Sequence, residues 1–222
     1  MLLLIAQPWL IDQRAFRLHR TLGLAMFVVV PLFTMGGWLV SQQMIARGDA
    51  FGLLLGDRLA LVDVIGPPAF AFFVHQALVQ RRTPALHGGW LLVTALLLIE
   101  ATFTRIFGPI FERQGMDFLS AFSLAFDLAT VTGMLVAAAL WRWQPRHPAP
   151  FIAALAVLVL QGAAFHLVPA LPLWSALCRS IAALPAWPPA ALGFAIGLLA
   201  VVHGWRNPAQ RSTPPAALSI PA

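Results

Sequence analysis

The sequence predicts an all-α fold, a polytopic transmembrane helix bundle of six spans with both termini cytoplasmic. Three observations lead there. The 222 residues are 60% hydrophobic and only 10% charged, against about 25% charged in ordinary soluble domains. The apolar residues fall into six runs, and a membrane span needs about 20 of them. The charge is carried almost entirely at the ends of those runs, where arginines anchor helix ends and set topology. With a formal net charge of +6, a nucleic-acid binder could be considered. The arginines stand singly or in pairs at run ends rather than in one stripe, so no nucleic-acid partner is expected and the lipid bilayer is.

Residues 1–19 (MLLLIAQPWLIDQRAFRLH) carry only six apolar residues before Gln7 and Pro8. No charged n-region precedes them, so they read as an interfacial N-terminal segment rather than a signal peptide. The spans are expected at about 20–42, 59–80, 87–107, 117–141, 151–170 and 187–205, boundaries being the weakest part of such a reading. Together they make a transmembrane domain over 20–206. The connection 171–186 is long and apolar and reads as a short interfacial helix. It holds Cys178, the only cysteine, which excludes an intramolecular disulfide and any Cys-based metal site. Cys178 is expected to be open to a maleimide from the outer side. The tail 207–222, with its prolines and serines, reads as a disordered cytoplasmic segment. No internal repeat supports an inverted-repeat transporter.

Orientation follows from alternate loops. Arg14, Arg17, Arg20, Arg81, Arg82, Arg142, Arg146, Arg206 and Arg211 fall on one side. Arg47, Arg58, Arg105, Arg113 and Arg179 fall on the other. Nine against five places both termini in the cytoplasm.

Ionisable groups inside spans are costly and so are candidates for function. They are Asp63 and His75 in span two, Glu100 in span three, Asp127 in span four and His166 in span five. Glu100 interrupts LLLIEATFTRIF. At 100° per residue it faces away from Arg105, so the two do not pair within one helix. Arg105 can snorkel to the interface. Glu100 must be protonated or meet a partner from another helix. It is expected to point into the bundle towards span two or four, with Asp63 entering from the outer start of span two. In span four, Ser120, Ser123, Asp127 and Thr130 recur at helical spacing. They form either the wall of a polar cavity or proton path, or ordinary interhelical hydrogen bonds. The packing reading is the commoner one, and Asp127 is what keeps the other. The candidate ligand or proton pocket is therefore Asp63, Glu100, Ser123, Asp127 and Thr130. Gly66-Pro67-Pro68 in span two removes backbone donors to the carbonyls of Asp63 and Val64. Gly193-x-x-x-Gly197 in span six is a close-packing face.

A haem b held by two histidines needs ligands on different helices at one depth. His75 and His166 lie in opposite halves of their spans and do not meet that condition. His19, His87, His147 and His203 gather at the cytoplasmic boundary, where histidines at helix ends are ordinary. The leading reading is thus an integral inner-membrane protein without cofactor or metal, a proton-linked small-molecule carrier or membrane sensor, with an enzyme the less expected outcome. One alternative is a haem-b-binding redox protein using His19, His75 and His87. Another is a structural or assembly partner without ligand. Nucleophile elbows, phosphate loops and HExxH patterns are absent.

Three stretches carry a resemblance. HRTLG opens span one, RRTPALH leads into span three, and WRWQPRHPAPF joins spans four and five. Across residues 16–180 the chain resembles a family of uncharacterised bacterial multi-helix inner-membrane proteins with an Arg-Arg-x-Pro-x-x-His turn and an Arg-His-Pro turn. Here these are Arg81, Arg82, Pro84 and His87, then Arg146, His147 and Pro148. Gly88 and Gly89 stand where that family carries basic residues. The resemblance implies topology and a bacterial inner-membrane location, and no activity.

Overall fold

A computed structural model describes residues 2–168 and 171–209. It is helical throughout, with six helices long and apolar enough to cross a membrane. The chain is a multi-pass membrane protein. The expected tail from residue 210 onward, and the end of span five at 169–170, lie outside the described residues.

Helix α1 (Leu2–Asp12) and helix α2 (Phe16–Gly23) precede α3 (Met26–Arg47), and α2 and α3 together form the first spanning stretch, Phe16–Arg47. The chain leaves α1 through Arg14, which has φ 56°. Gly48, at φ 60°, ends α3 in the left-handed region that glycine adopts without steric cost. Asp49 then accepts the Gly52 N–H at 2.8 Å and caps α4 (Ala50–Val79).

That cap moves the start of span two about nine residues earlier than the sequence suggested. Asp57 and Arg58 are drawn into the helix, and Asp63 sits near its middle rather than at its outer start. Pro67 and Pro68 leave α4 continuous. The Asp63 carbonyl that Pro67 leaves without a donor receives the Trp38 indole N–H at 2.9 Å, and Pro67 packs on Gly37, where a Cβ would lie 2.6 Å from its ring.

Span three is two helices, α5 (Pro84–Leu96) and α6 (Ile99–Arg113). No Gly or Pro marks the break. The Thr94 hydroxyl donates to the Leu91 carbonyl at 2.6 Å, a back-bond that competes with the helix ladder and bends it. The step is completed by a tight Leu98 N–H to Ala95 carbonyl bond of 3.1 Å. Glu100 falls in the first turn of α6. Helix α7 (Phe118–Trp143) starts from an Asp117 cap on the Ser120 N–H, and α8 (Ala149–Leu167) follows.

Helix α9 (Pro172–Ala182) is the short helix expected in the last long connection. Trp174 donates to the Asp57 carbonyl at 2.8 Å, and Gln42 from α3 donates to the Leu184 carbonyl at 2.7 Å just beyond the helix end. Cys178 faces inward from it and is buried, contrary to the expected accessibility. Burial first, and the neighbouring Asp57 second, push the thiol up to about 11. Both effects disfavour the thiolate that reacts with maleimides. Helix α10 (Trp187–Arg206) closes the bundle against α3 and α4.

Three apolar clusters fill the interior, one of them Val30, Ala71, Val74, Leu78 and Val201 between α3, α4 and α10. On the side of the chain termini, Phe73, Ala77, Trp90, Val93, Ala137 and Phe151 pack together. On the opposite side, Leu55, Val62, Phe126 and Phe165 pack together, with Phe126 and Phe165 stacked at 4.1 Å.

Candidate functional site

Between the latter two clusters lies a polar centre built from several spans. Its deepest member is Glu100, 5% exposed. Glu100, Thr104 and Gly108 recur every four residues and form the buried face of α6. The Thr130 hydroxyl of α7 donates to Glu100 Oε1 at 3.1 Å and shares its proton with the Phe126 carbonyl at 3.0 Å. Asp63 is the other acid whose charge reaches Glu100. The Ser41 hydroxyl of α3 donates to the Asp63 carboxylate.

Gln161 of α8 completes the group. It is buried to 2% exposure. Its Nε2 lies 3.5 Å from the Val62 carbonyl, beside Gly66, and its Oε1 has no partner. The following residue, Gly162, packs on the Thr130 methyl, where a Cβ would lie at 3.2 Å. Among the described residues no cation bonds to either carboxyl, and Arg105 turns back to the Ala101 carbonyl at 2.6 Å.

The chain, compared with protein-family models, curated proteins and solved structures, matches none of them.

Of the five pocket candidates, the structure joins Glu100 and Thr130 by a hydrogen bond, and Asp63 lies nearby with Ser41 as its own partner. Asp127 does not join them. Its Oδ1 is bonded to His166 Nε2 at 2.6 Å, and both side chains are nearly half exposed. The reason lies in helix geometry: three residues on an α-helix are about 60° short of a full turn. Thr130 therefore meets α6 while Asp127 meets α8. Ser123 is half-buried on the same helix with no side-chain hydrogen bond described. Sequence reasoning missed Ser41, Trp38 and Gln161. Ser41 begins the polar triplet Ser41-Gln42-Gln43 near the end of span one, and nothing in sequence says it faces Asp63. Gln161 carried a signal, being the only uncharged amide inside span five.

The histidines named for a haem go to separate partners. His75 Nε2 lies 2.9 Å from His203 Nδ1, and the two rings stack with centroids 5.2 Å apart. His87 Nδ1 is 2.7 Å from the Ala77 carbonyl, so it donates there. His19 lies close to His87. Among the described residues no group of three or more His, Cys, Asp or Glu is placed to hold a metal ion.

Near the chain-terminal face, the turn at 81–87 and the turn at 143–148 come together. Ala85 of the first and Trp143, Gln144, Pro145, Arg146 and His147 of the second line an open cleft of about 470 Å³.

Proposed function

We propose that this protein is a proton-binding carrier of the bacterial inner membrane, with both termini cytoplasmic and Glu100 with Asp63 as its proton site. The observation that carries the reading is the pair of acids at mid-bundle, Glu100 buried and Asp63 half-buried, with hydroxyl partners and no cation bonded to either among the described residues. A carboxylate in hydrocarbon is expensive. Two like charges near one another there repel as well, so the pair holds at least one proton. Such a proton is exchangeable when the pair is opened to either side. The break between α5 and α6 supports the same reading. Discontinuous helices at mid-membrane are where membrane carriers place coupling-ion sites, and half-helices can move separately about the break. The arginine asymmetry supports the orientation. The resemblance to bacterial inner-membrane proteins supports the location.

Purified protein in liposomes with a trapped pH-sensitive dye tests this. Wild-type protein is expected to couple an imposed proton gradient to uptake from a panel of small solutes. Glu100→Gln, which keeps size and hydrogen-bonding but cannot titrate, is expected to lose coupling at near-wild-type thermal stability. Equal coupling in wild-type and Glu100→Gln overturns the reading.

A further inference from the structure

We infer that Asp127 and His166 form the port through which protons reach Glu100 from the face opposite the chain termini. This rests on the reading of Glu100 as a proton site. The direct route along the bundle axis on that side is closed. Leu55, Val62, Phe126 and Phe165 form an apolar layer there, backed by Phe118 and Phe122. A proton cannot cross such a layer without polar groups. The Asp127–His166 pair stands beside it, on the outer surface of the α7–α8 seam.

The depth of the pair fits an entrance. Asp127 is 16 residues from the Trp143 end of α7 and His166 is 17 from the Ala149 start of α8. At 1.5 Å per residue both lie about 24–26 Å from the chain-terminal ends of their helices. Asp127 is nine residues, about 14 Å, from the Phe118 start of α7, and Glu100 is 13 residues, about 20 Å, from the Arg113 end of α6, so the pair lies nearer the far face than Glu100 does. Helix α8 ends one residue later, at Leu167. The side chains are 49% and 46% exposed, where a lipid tail offers no hydrogen bond and interfacial water does. One turn deeper on α7, Thr130 already touches Glu100 at 3.1 Å.

The charges around the pair are few. Arg58 of α4 lies over the Phe165 ring at 5.4 Å. Helix α6 contributes Glu100, reached through Thr130. Helix α5 holds only His87, at its far end, and α8 holds only His166. A proton from interfacial water binds His166 Nδ1. The Nε2 proton passes along the 2.6 Å bond to Asp127 Oδ1. The ring is left neutral with its proton on Nδ1, and Asp127 is left as the acid. The Thr130 hydroxyl, bonded to Glu100 at 3.1 Å, takes that proton and gives its own to the Glu100 carboxylate. Asp127 returns to a carboxylate, and a flip of the His166 ring restores the Nε2 proton for the next transfer. One proton enters and no charge accumulates.

Infrared spectroscopy of the protein in liposomes tests the port separately from the function. The neutral carboxylic acid gives a carbonyl band that Glu100→Gln identifies by its loss. On transfer to heavy water that band shifts as the acid proton exchanges. Asp127→Asn and His166→Gln are expected to slow the shift by about tenfold or more, in the range lost with a positioned acid or base, while backbone amide exchange stays as in wild type. An unchanged shift rate in both variants, with the Glu100 band present, overturns the port and leaves the proton site standing. Absence of any band lost in Glu100→Gln overturns the proton site, and the port with it.

Discussion

Two buried threonines occupy equivalent places in two different seams. Thr34 of α3 donates to the Gly193 carbonyl of α10 at 2.6 Å. Thr130 of α7 donates to the Glu100 carboxyl of α6. The first seam is built on close approach. A Cβ at Gly193 would lie 2.6 Å from the Thr34 carbonyl oxygen, and one at Gly197 would lie 2.6 Å from the Pro31 Cα. Every polar group there is a backbone carbonyl or a hydroxyl, and none titrates. The second seam spends its hydroxyl on an acid. The same residue type at the same burial is glue in one place and part of a proton site in the other. What separates them is the partner rather than the threonine.

The comparison breaks most sharply at Gly197. Gly197→Leu drives a side chain into the α3 backbone, which cannot yield as a flexible side chain would. A loss of about 3 kcal/mol or more is expected, at the upper end of overpacking costs, read as a fall in thermal unfolding temperature in detergent. A wild-type melting curve would remove the claim that this seam is held by close approach. Glu100→Leu and Glu100→Gln sharpen the other side. The Gln variant should lie within about 1 kcal/mol of wild type, since interhelical hydrogen bonds in bilayers average about 0.6 kcal/mol. The Leu variant should be no less stable than that, because Thr130 keeps the Phe126 carbonyl. Both should abolish proton coupling. A Leu variant that still couples would assign the second seam to packing alone.

A smaller effect is expected from the matched pair Thr34→Val and Thr130→Val. Each should cost about 0.6–1.7 kcal/mol, measured by chemical or thermal unfolding. Only Thr130→Val should also shift the pH dependence of transport, and an equal shift in Thr34→Val would erase the distinction between the seams. Smallest is the cap that begins α7. The Ser120 side chain and its N–H hold the Asp117 carboxyl below the usual carboxylate range. A depressed group stabilises the fold above its unfolded value, near about 3.9. That contribution is lost as pH falls through the lower folded value. Acidification should therefore lower the unfolding temperature slightly more in wild type than in Asp117→Asn. Parallel curves would show that this cap has no part in the second seam.

The six spans were legible because apolar run length reports directly on the bilayer. Their edges were less so. Asp49 and Asp117 are helix caps whose effect depends on one hydrogen bond, and the Asp49 cap carried α4 past two charged residues that looked like loop. The break at Leu97–Leu98 was illegible, since it depends on which carbonyl the Thr94 hydroxyl chooses. Glu100 was visible as an anomaly, and its inward direction followed from its angle to Arg105. Asp127 was assigned to the wrong neighbours because a stripe read at helical spacing spans about 60° per step, enough to face two different helices. His166 could not be paired with it from sequence, since their register depends on the loop between α7 and α8.

The α3–α10 seam also bears on how the chain is made. Spans enter the membrane in order of synthesis, and the main partner of the first is the sixth. Until α10 emerges, the notch around Pro31 and Thr34 faces lipid. It holds no charge, and the Thr34 hydroxyl also reaches the Val30 carbonyl of its own helix at 3.1 Å, so the waiting surface is already hydrogen-bonded. The glycines that complete the seam sit on the later helix, and the first span can stay unattended in the bilayer while four others are laid down.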